Sequence, residues 1–264
     1  MSPRRLTAAV LVAVSLPGAA LAQSRAPTPP APPAATFISQ SLWTAGFSSL
    51  ASGDPHFAHI ARVTADIDVV DYVNGRLNFY GVYEGVLGTE RRRLDLNHEN
   101  FVVEASATRR VRSSEFGVAF HHVSRHLTDR DFEGVTAWNE ATFRAAHVLT
   151  AKGTKYWGHV DFGKVLQHSN VDYSWITRVE LDLDRPLNQT TRFVAMGNAT
   201  LAQIRDPATR LHQFGARGEG GIVFGGRKGG MEIYGAFEHR IDAYPLSHAR
   251  VHWWEIGFRL IGSS

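Results

Sequence analysis

The chain has 264 residues, of which 44 % are hydrophobic, 11 % aromatic and 20 % charged; its formal charge is +3 and it has no cysteine. A charge so near neutrality argues against a nucleic-acid binder that works through phosphate contacts. The absence of cysteine excludes disulfides, lipoprotein acylation and thiol chemistry, so packing and pairing must hold the fold.

The opening residues, MSPRRLTAAVLVAVSLPGAALAQ, carry Arg4 and Arg5, an apolar segment from Leu6 to Leu16, and small residues at Ala20 and Ala22. That layout predicts a secretory signal peptide over 1–22, cut after Ala22. Losing two arginines lowers the formal charge from +3 to +1. No other run approaches the roughly 18 apolar residues of a transmembrane helix. The tract RAPTPPAPPAAT, Arg25 to Thr36, favours extended, solvated backbone and predicts a Pro/Ala-rich linker over 23–36. One β domain is expected over 37–264.

From there the chain alternates. In HIARVTADIDVV, Ala61, Val63, Ala65, Ile67 and Val69 fall on one face and Arg62, Thr64, Asp66 and Asp68 on the other, which predicts a strand with one apolar face. Asn74-Gly75 predicts a type I′ hairpin turn, and RLNFYGVYEGVLG returns beside the first strand. The same period recurs in NFVVEASAT, VDYSWITRVELDLD, MEIYGAFEH and HWWEIGFRL. Turn signals place strands near 37–47, 59–73, 76–88, 100–110, 115–125, 141–151, 156–167, 170–184, 190–203, 211–224, 230–241 and 250–260.

A soluble sandwich and a transmembrane barrel both fit such a pattern. The barrel is favoured by strands of ten or more residues, by full charges such as Arg178, Glu180 and Asp182 on the polar face, and by Trp43, Trp157, Trp175, Trp253 and Trp254 placed like interfacial girdles. Short connections alternate with longer, more charged ones, the arrangement of an outer-membrane barrel with short periplasmic turns. The expectation is an all-β, antiparallel up-and-down transmembrane β-barrel of about twelve strands in the bacterial outer membrane.

On this reading strand 115–125 runs outward and ends in FHHVSRHLTDR. Phe116, Val118, Phe120, His122 and Ser124 share the apolar face; Glu115, His121 and Arg125 share the other. Serine and histidine two residues apart on one face bring their Cβ atoms to about 7 Å, near enough for an imidazole to accept a hydroxyl proton. A third group would orient the imidazole. Glu140 is favoured because the next strand returns beside this one, with Glu133 second and Asp129 and Asp131 behind them. A polar strand end meeting headgroups explains the same residues without chemistry. A metal site using His121, His122, His126, Asp129 or Asp131 is disfavoured because alternate residues face apart.

Phe120-His121-His122-Val123-Ser124 resembles the F-x-H-x-S motif of the outer-membrane lipid A 3-O-deacylases. The resemblance implies a barrel whose Ser124, His122 and a glutamate hydrolyse an ester-linked acyl chain from the lipid side. Where that family has an asparagine that helps form the oxyanion hole, this chain has Arg125, which becomes the candidate oxyanion donor. His122-x-Ser124-x-His126-Leu127-x-Asp129, with SLASGDPHF earlier, is similar to the DUF1207-type outer-membrane barrels of unknown function.

His126 and the Arg91-Arg92-Arg93 run are candidate substrate contacts, the arginines through lipopolysaccharide phosphates. GEGG and GGRKGG lack the context of a phosphate loop and read as hairpin and bend glycines, and His159 with Asp161 reads as a lumen pair. The expected function is acyl-ester hydrolysis at the outer leaflet; the alternative is a non-enzymatic barrel, a narrow pore or an envelope structural protein. The expected partners are outer-membrane lipids, lipid A or phospholipid, and the barrel assembly machinery during insertion. No cofactor, metal or nucleic acid is expected.

Overall fold

The computed structural model describes residues 32, 34–128, 135–206, 210–226, 229–245 and 250–263. The signal-peptide expectation over 1–22 and all of the linker before residue 32 lie outside them. The described strands are β1 (Thr36–Ala51), β2 (His59–Asp71), β3 (Arg76–Gly88), β4 (Asp95–Val111), β5 (Ser114–Leu127), β6 (Val135–Ala151), β7 (Thr154–Ser169), β8 (Tyr173–Pro186), β9 (Thr191–Ile204), β10 (Gln213–Gly225), β11 (Gly229–Arg240) and β12 (Val251–Ser263). Each pairs antiparallel with its sequence neighbours, and β1 pairs with β12 to close a barrel. Closure removes the free edges that an open sheet of this width would expose.

The apolar face points outward. On β5, Phe116, Val118 and Phe120 are 43 %, 62 % and 50 % exposed, whereas Glu115, Ala119 and His121 are buried. A sandwich would hide the apolar row; here the lumen takes the charges and the outer wall takes the exposed apolar row, as in a membrane barrel. The expected tryptophan girdle is only partly right. Trp43 and Trp254 are exposed, but Trp157 and Trp253 are buried in the lumen at 5 % and 1 % exposure. Adjacent residues on a strand face apart, so Trp253 and Trp254 cannot both reach the lipid interface.

The turn after β2 differs from the type I′ expectation. Val73, not Asn74-Gly75, takes the left-handed conformation, with φ of 72°. Asp71 Oδ1 accepts the Val73 N–H at 3.0 Å, while Arg110 donates to Asp71 Oδ1 at 2.8 Å and to the Val73 carbonyl at 3.2 Å. The neighbouring strand, rather than the local dipeptide, sets this turn. Gly75 is required by close approach: a Cβ there would lie 1.9 Å from the Thr108 carbonyl oxygen. The turn after β6 does follow local chemistry, with Lys152 and Gly153 at φ of 50° and 76°.

Inside, ion pairs cross-link the wall. Arg240 donates to Glu84 and Glu238, both at 2.6 Å, and Arg217 to Glu238 at 2.9 Å and Glu255 at 2.5 Å. Arg144 bridges Glu104 at 2.8 Å and Asp161 at 2.5 Å. Each charge has a partner, which offsets the desolvation that burial imposes. Toward the end carrying the long connections, the segment after β11 folds into the mouth, burying Ile241 and Ala243. Tyr80, Val82, Val102, Val123, Trp138 and Ile176 pack beneath it. The opposite end holds a cavity of about 730 Å³ among Lys155, Trp157, Arg192, Glu219 and Arg259.

Candidate functional site

The residues singled out on β5 divide by parity. His122 and Ser124 continue the outward row of Phe116, Val118 and Phe120, and their register partners on β6 are Asn139 and Ala137. His122 Nδ1 lies 2.6 Å from Asn139 Oδ1, and Asn139 Nδ2 donates to Gln167 Oε1 at 3.0 Å. Asn139 turns its amide nitrogen to Gln167 and its oxygen to the ring, and with the amide in that orientation Nδ1–H is the donor. That tautomer leaves Nε2 with a free lone pair for a hydroxyl proton. Ser124, 7 % exposed, sits between Phe101 and Ala137 in the register and makes no side-chain hydrogen bond among the described residues.

Two other serine–histidine pairs lie on the same wall. Ser49 Oγ approaches His59 Nδ1 at 3.2 Å and Ser114 Oγ approaches His147 Nδ1 at 2.9 Å. Neither imidazole has an orienting amide or carboxylate among the described residues, and each meets its serine through Nδ1. Among the described residues, His122 combines an amide-oriented ring with a serine on the same face.

Glu140 is not behind His122. It points into the lumen, fully buried, where Arg178 donates to it at 2.9 and 2.5 Å and Trp138 Nε1 at 2.6 Å. The reason is parity: Asn139 shares a face with Ala141 and Phe143, Glu140 with Thr142 and Arg144. The outward Phe143 in the sequence was the signal that assigns Asn139, not Glu140, to the lipid side. Glu133, Asp129 and Asp131 lie outside the described residues.

Arg125 also turns inward. It is 6 % exposed, donates to the Asp242 carbonyl and lies 5.5 Å from the Trp138 ring centre. It belongs to the mouth cap, not to an oxyanion hole on the outer wall. His121 faces the lumen as expected, 3.1 Å from Glu104. His126 stays on the outward face with its ring edge-on to Phe101 at 5.6 Å, next to Ser124 in the same row. Arg91, Arg92 and Arg93 lie in the exposed connection between β3 and β4, where Arg92 approaches Asp95 at 3.6 Å. His159 and Asp161 are both buried in the lumen, 3.8 Å apart.

The cap over the mouth is tied by Asp242. Arg210 donates to its two oxygens at 2.8 and 3.0 Å, and the Tyr173 hydroxyl donates to it as well. Burial pushes the Asp242 carboxyl up, but the Arg210 and Tyr173 bonds outweigh it and hold the carboxyl below the usual range. Arg210 is raised in turn: burial lowers it, and its bonds to Asp172 and Asp242 more than offset that.

No family model and no curated protein matches the chain. Solved structures do. A Salmonella typhi outer membrane phospholipase, OMPLA, solved as a dimer with bound calcium, aligns over 84 % of this chain and 90 % of its own with a TM-score of 0.52 and 9 % identity. The COG4313 outer membrane channel from Pseudomonas putida F1 aligns over 87 % and 97 % with a TM-score of 0.53 and 7 % identity. Outer membrane phospholipase A from Escherichia coli aligns over 83 % and 92 % with a TM-score of 0.51 and 9 % identity. The chain is a closed, twelve-stranded outer-membrane β-barrel.

Proposed function

We propose that this barrel is an outer-membrane hydrolase of lipid acyl esters, working from the lipid-facing wall. The observation that carries the reading is the His122 Nδ1 to Asn139 Oδ1 contact of 2.6 Å on the face that also presents Ser124. Ser124 Oγ attacks the ester carbonyl carbon as His122 Nε2 takes its proton. The carbon–oxygen bond to the leaving alcohol breaks with return of that proton, and water then releases the acyl group from Ser124. Asn139, itself held by Gln167, fixes the tautomer. With Arg125 in the mouth cap, a backbone amide is left as the oxyanion donor.

A neutral amide suits this place. A carboxylate facing hydrocarbon would carry a large desolvation cost, whereas asparagine orients the ring without a net charge. The phospholipases among the similar barrels add support for a phospholipid substrate, and the sequence motif adds support for lipid A.

Incubating purified protein with phospholipid or lipid A and following acyl release by mass spectrometry tests the proposal. Release is expected, and it should fall at least about 10³-fold in Ser124→Ala; release that survives the substitution overturns the assignment. A second reading, a narrow channel, is favoured by the roughly 730 Å³ cavity at the periplasmic end and by the similarity to the channel. Conductance in planar bilayers that is indifferent to Ser124→Ala, without acyl release, supports it.

A further inference from the structure

Beside Asn139 the wall is interrupted. The β6–β7 register shifts between Asn139 and Glu140, and the β7–β8 ladder ends at Lys164–Trp175 although β7 continues to Ser169. The β8–β9 register shifts too, between Tyr173 and Trp175. The upper end of β7, paired with β6 but not with β8, borders an outward depression of about 470 Å³ lined by Asn139, Leu166, Gln167, His168, Ser169 and Arg205.

Two basic side chains stand at it. Arg205 is anchored by Nε donating to the Tyr173 carbonyl at 3.1 Å and by its backbone N–H donating to the Asp172 carbonyl at 2.7 Å. Its two terminal nitrogens make no hydrogen bond among the described residues. Asp172, whose carbonyl takes that N–H, gives its carboxylate to Arg210 instead. Just membrane-ward, Lys164 extends from the outward face of β7 with its ammonium 4.6 Å from the Trp175 ring centre, and Trp175 stacks on Phe162 at 4.7 Å. No acidic side chain pairs with Lys164 or Arg205 among the described residues.

An ammonium on a lipid-facing row is costly unless an anion meets it there. At the outer end of a membrane wall, the anion at hand is a lipid phosphate, which guanidinium and ammonium groups bind through charge-assisted hydrogen bonds. Leu166 and Phe162, 55 % and 50 % exposed, supply apolar wall for the attached chain. The depression ends at Asn139, and His122 is its register partner, so a lipid seated here lies against the reacting pair.

We propose that this notch is the headgroup subsite of the hydrolase: Arg205 and Lys164 hold the phosphate of an outer-leaflet lipid and so position its ester at Ser124. The proposal rests on the hydrolase reading and narrows its substrate class to phosphate-bearing lipids. Arg205 and Lys164 are positioning residues; neither touches the reacting atoms.

Two measurements test it separately from catalysis. The first uses Ser124→Ala protein in detergent micelles and measures binding of a fluorescent phosphoglycerolipid, of lipid A and of a phosphate-free diacylglycerol with matched chains. Either phosphate-bearing lipid should bind at least tenfold more tightly than diacylglycerol, and the preference should vanish in Arg205→Gln/Lys164→Gln but return in Arg205→Lys with Lys164 intact. Equal binding of the three lipids, or a preference unchanged by the double substitution, overturns the subsite. Displacement of both phosphate-bearing lipids by millimolar inorganic phosphate reassigns it to a free anion and overturns the lipid proposal. The second compares kcat/KM on the Ser124 protein: the double substitution should lower it about tenfold or more for phosphate-bearing lipid and leave diacylglycerol hydrolysis unchanged. An equal loss on both substrates overturns the positioning role. Absence of hydrolysis in every variant counts against the hydrolase reading alone, because the binding measurement still decides the notch.

Discussion

His121 and His122 are neighbours on β5, yet the wall gives them opposite surroundings. His121 faces the lumen, 3.1 Å from Glu104, a carboxylate that Arg144 also binds at 2.8 Å. His122 faces the lipid side, 2.6 Å from the amide oxygen of Asn139. Inside, the ring is one more member of a charged lattice whose partners neutralise one another. Outside, the chain of contacts from His122 through Asn139 to Gln167 contains no formal charge. The difference teaches that a partner's charge follows the medium behind it: a buried lumen holds these carboxylates with an arginine beside them, and a lipid boundary favours an uncharged orienter.

The sharpest way to break this comparison is to exchange the two histidines' fates. His122→Asn is expected to lower acyl release by about 10³-fold or more with the heat-modifiable mobility of the folded barrel unchanged, because the base is lost and the wall is not. His121→Asn should leave release near wild type. Equal losses in the two variants would remove the distinction.

The lumen side predicts the next largest effect, on stability. Arg240→Met leaves Glu84 and Glu238 short of a partner in a place with no exposure. Breaking a buried pair of this kind costs about 3–5 kcal/mol; urea unfolding into lipid vesicles should read it, with hydrolysis per folded molecule preserved. Asn139→Leu should follow, lowering release about 10²-fold through loss of the tautomer while retaining the fold, with Asn139→Gln recovering part of it. Glu140→Gln is the matching control on the other face: it weakens the buried Arg178 contacts and so lowers stability, while the rate per folded molecule is expected to stay within about twofold.

The smallest effect is pH dependence of the mouth. Asp242 has its carboxyl held below the usual range in the folded chain, so its contribution is fully present above the unfolded value of about 3.9 and is lost as pH falls through the lower folded value. Hydrogen exchange over residues 241–245 should therefore stay slow at pH 5 and quicken only below about pH 4. Quickening already near pH 6 would assign the cap to histidine instead.

Parity explains what was legible in these residues. Alternation along each strand by itself places Ser124 and His122 outward and His121 and Arg125 inward, and the same rule applied to β6 from Phe143 places Asn139 outward. Glu140 offers the carboxylate a triad wants, but the same period turns it into the lumen. The partner opposite His122 was not legible, since pairing depends on a connection of seven residues, 128–134, and on a register that shifts between Asn139 and Glu140.

By itself, then, the sequence determined a barrel of about twelve strands with an apolar exterior, because side-chain direction on a strand has a period of two and needs only the local backbone. The tertiary structure decided what no local rule reaches: that Asn139 stands against His122, that Asp242 ties down a cap over the mouth, and that the wall opens beside Arg205. Each of these depends on register and closure among strands far apart in the chain, quantities set by the packing of the whole barrel.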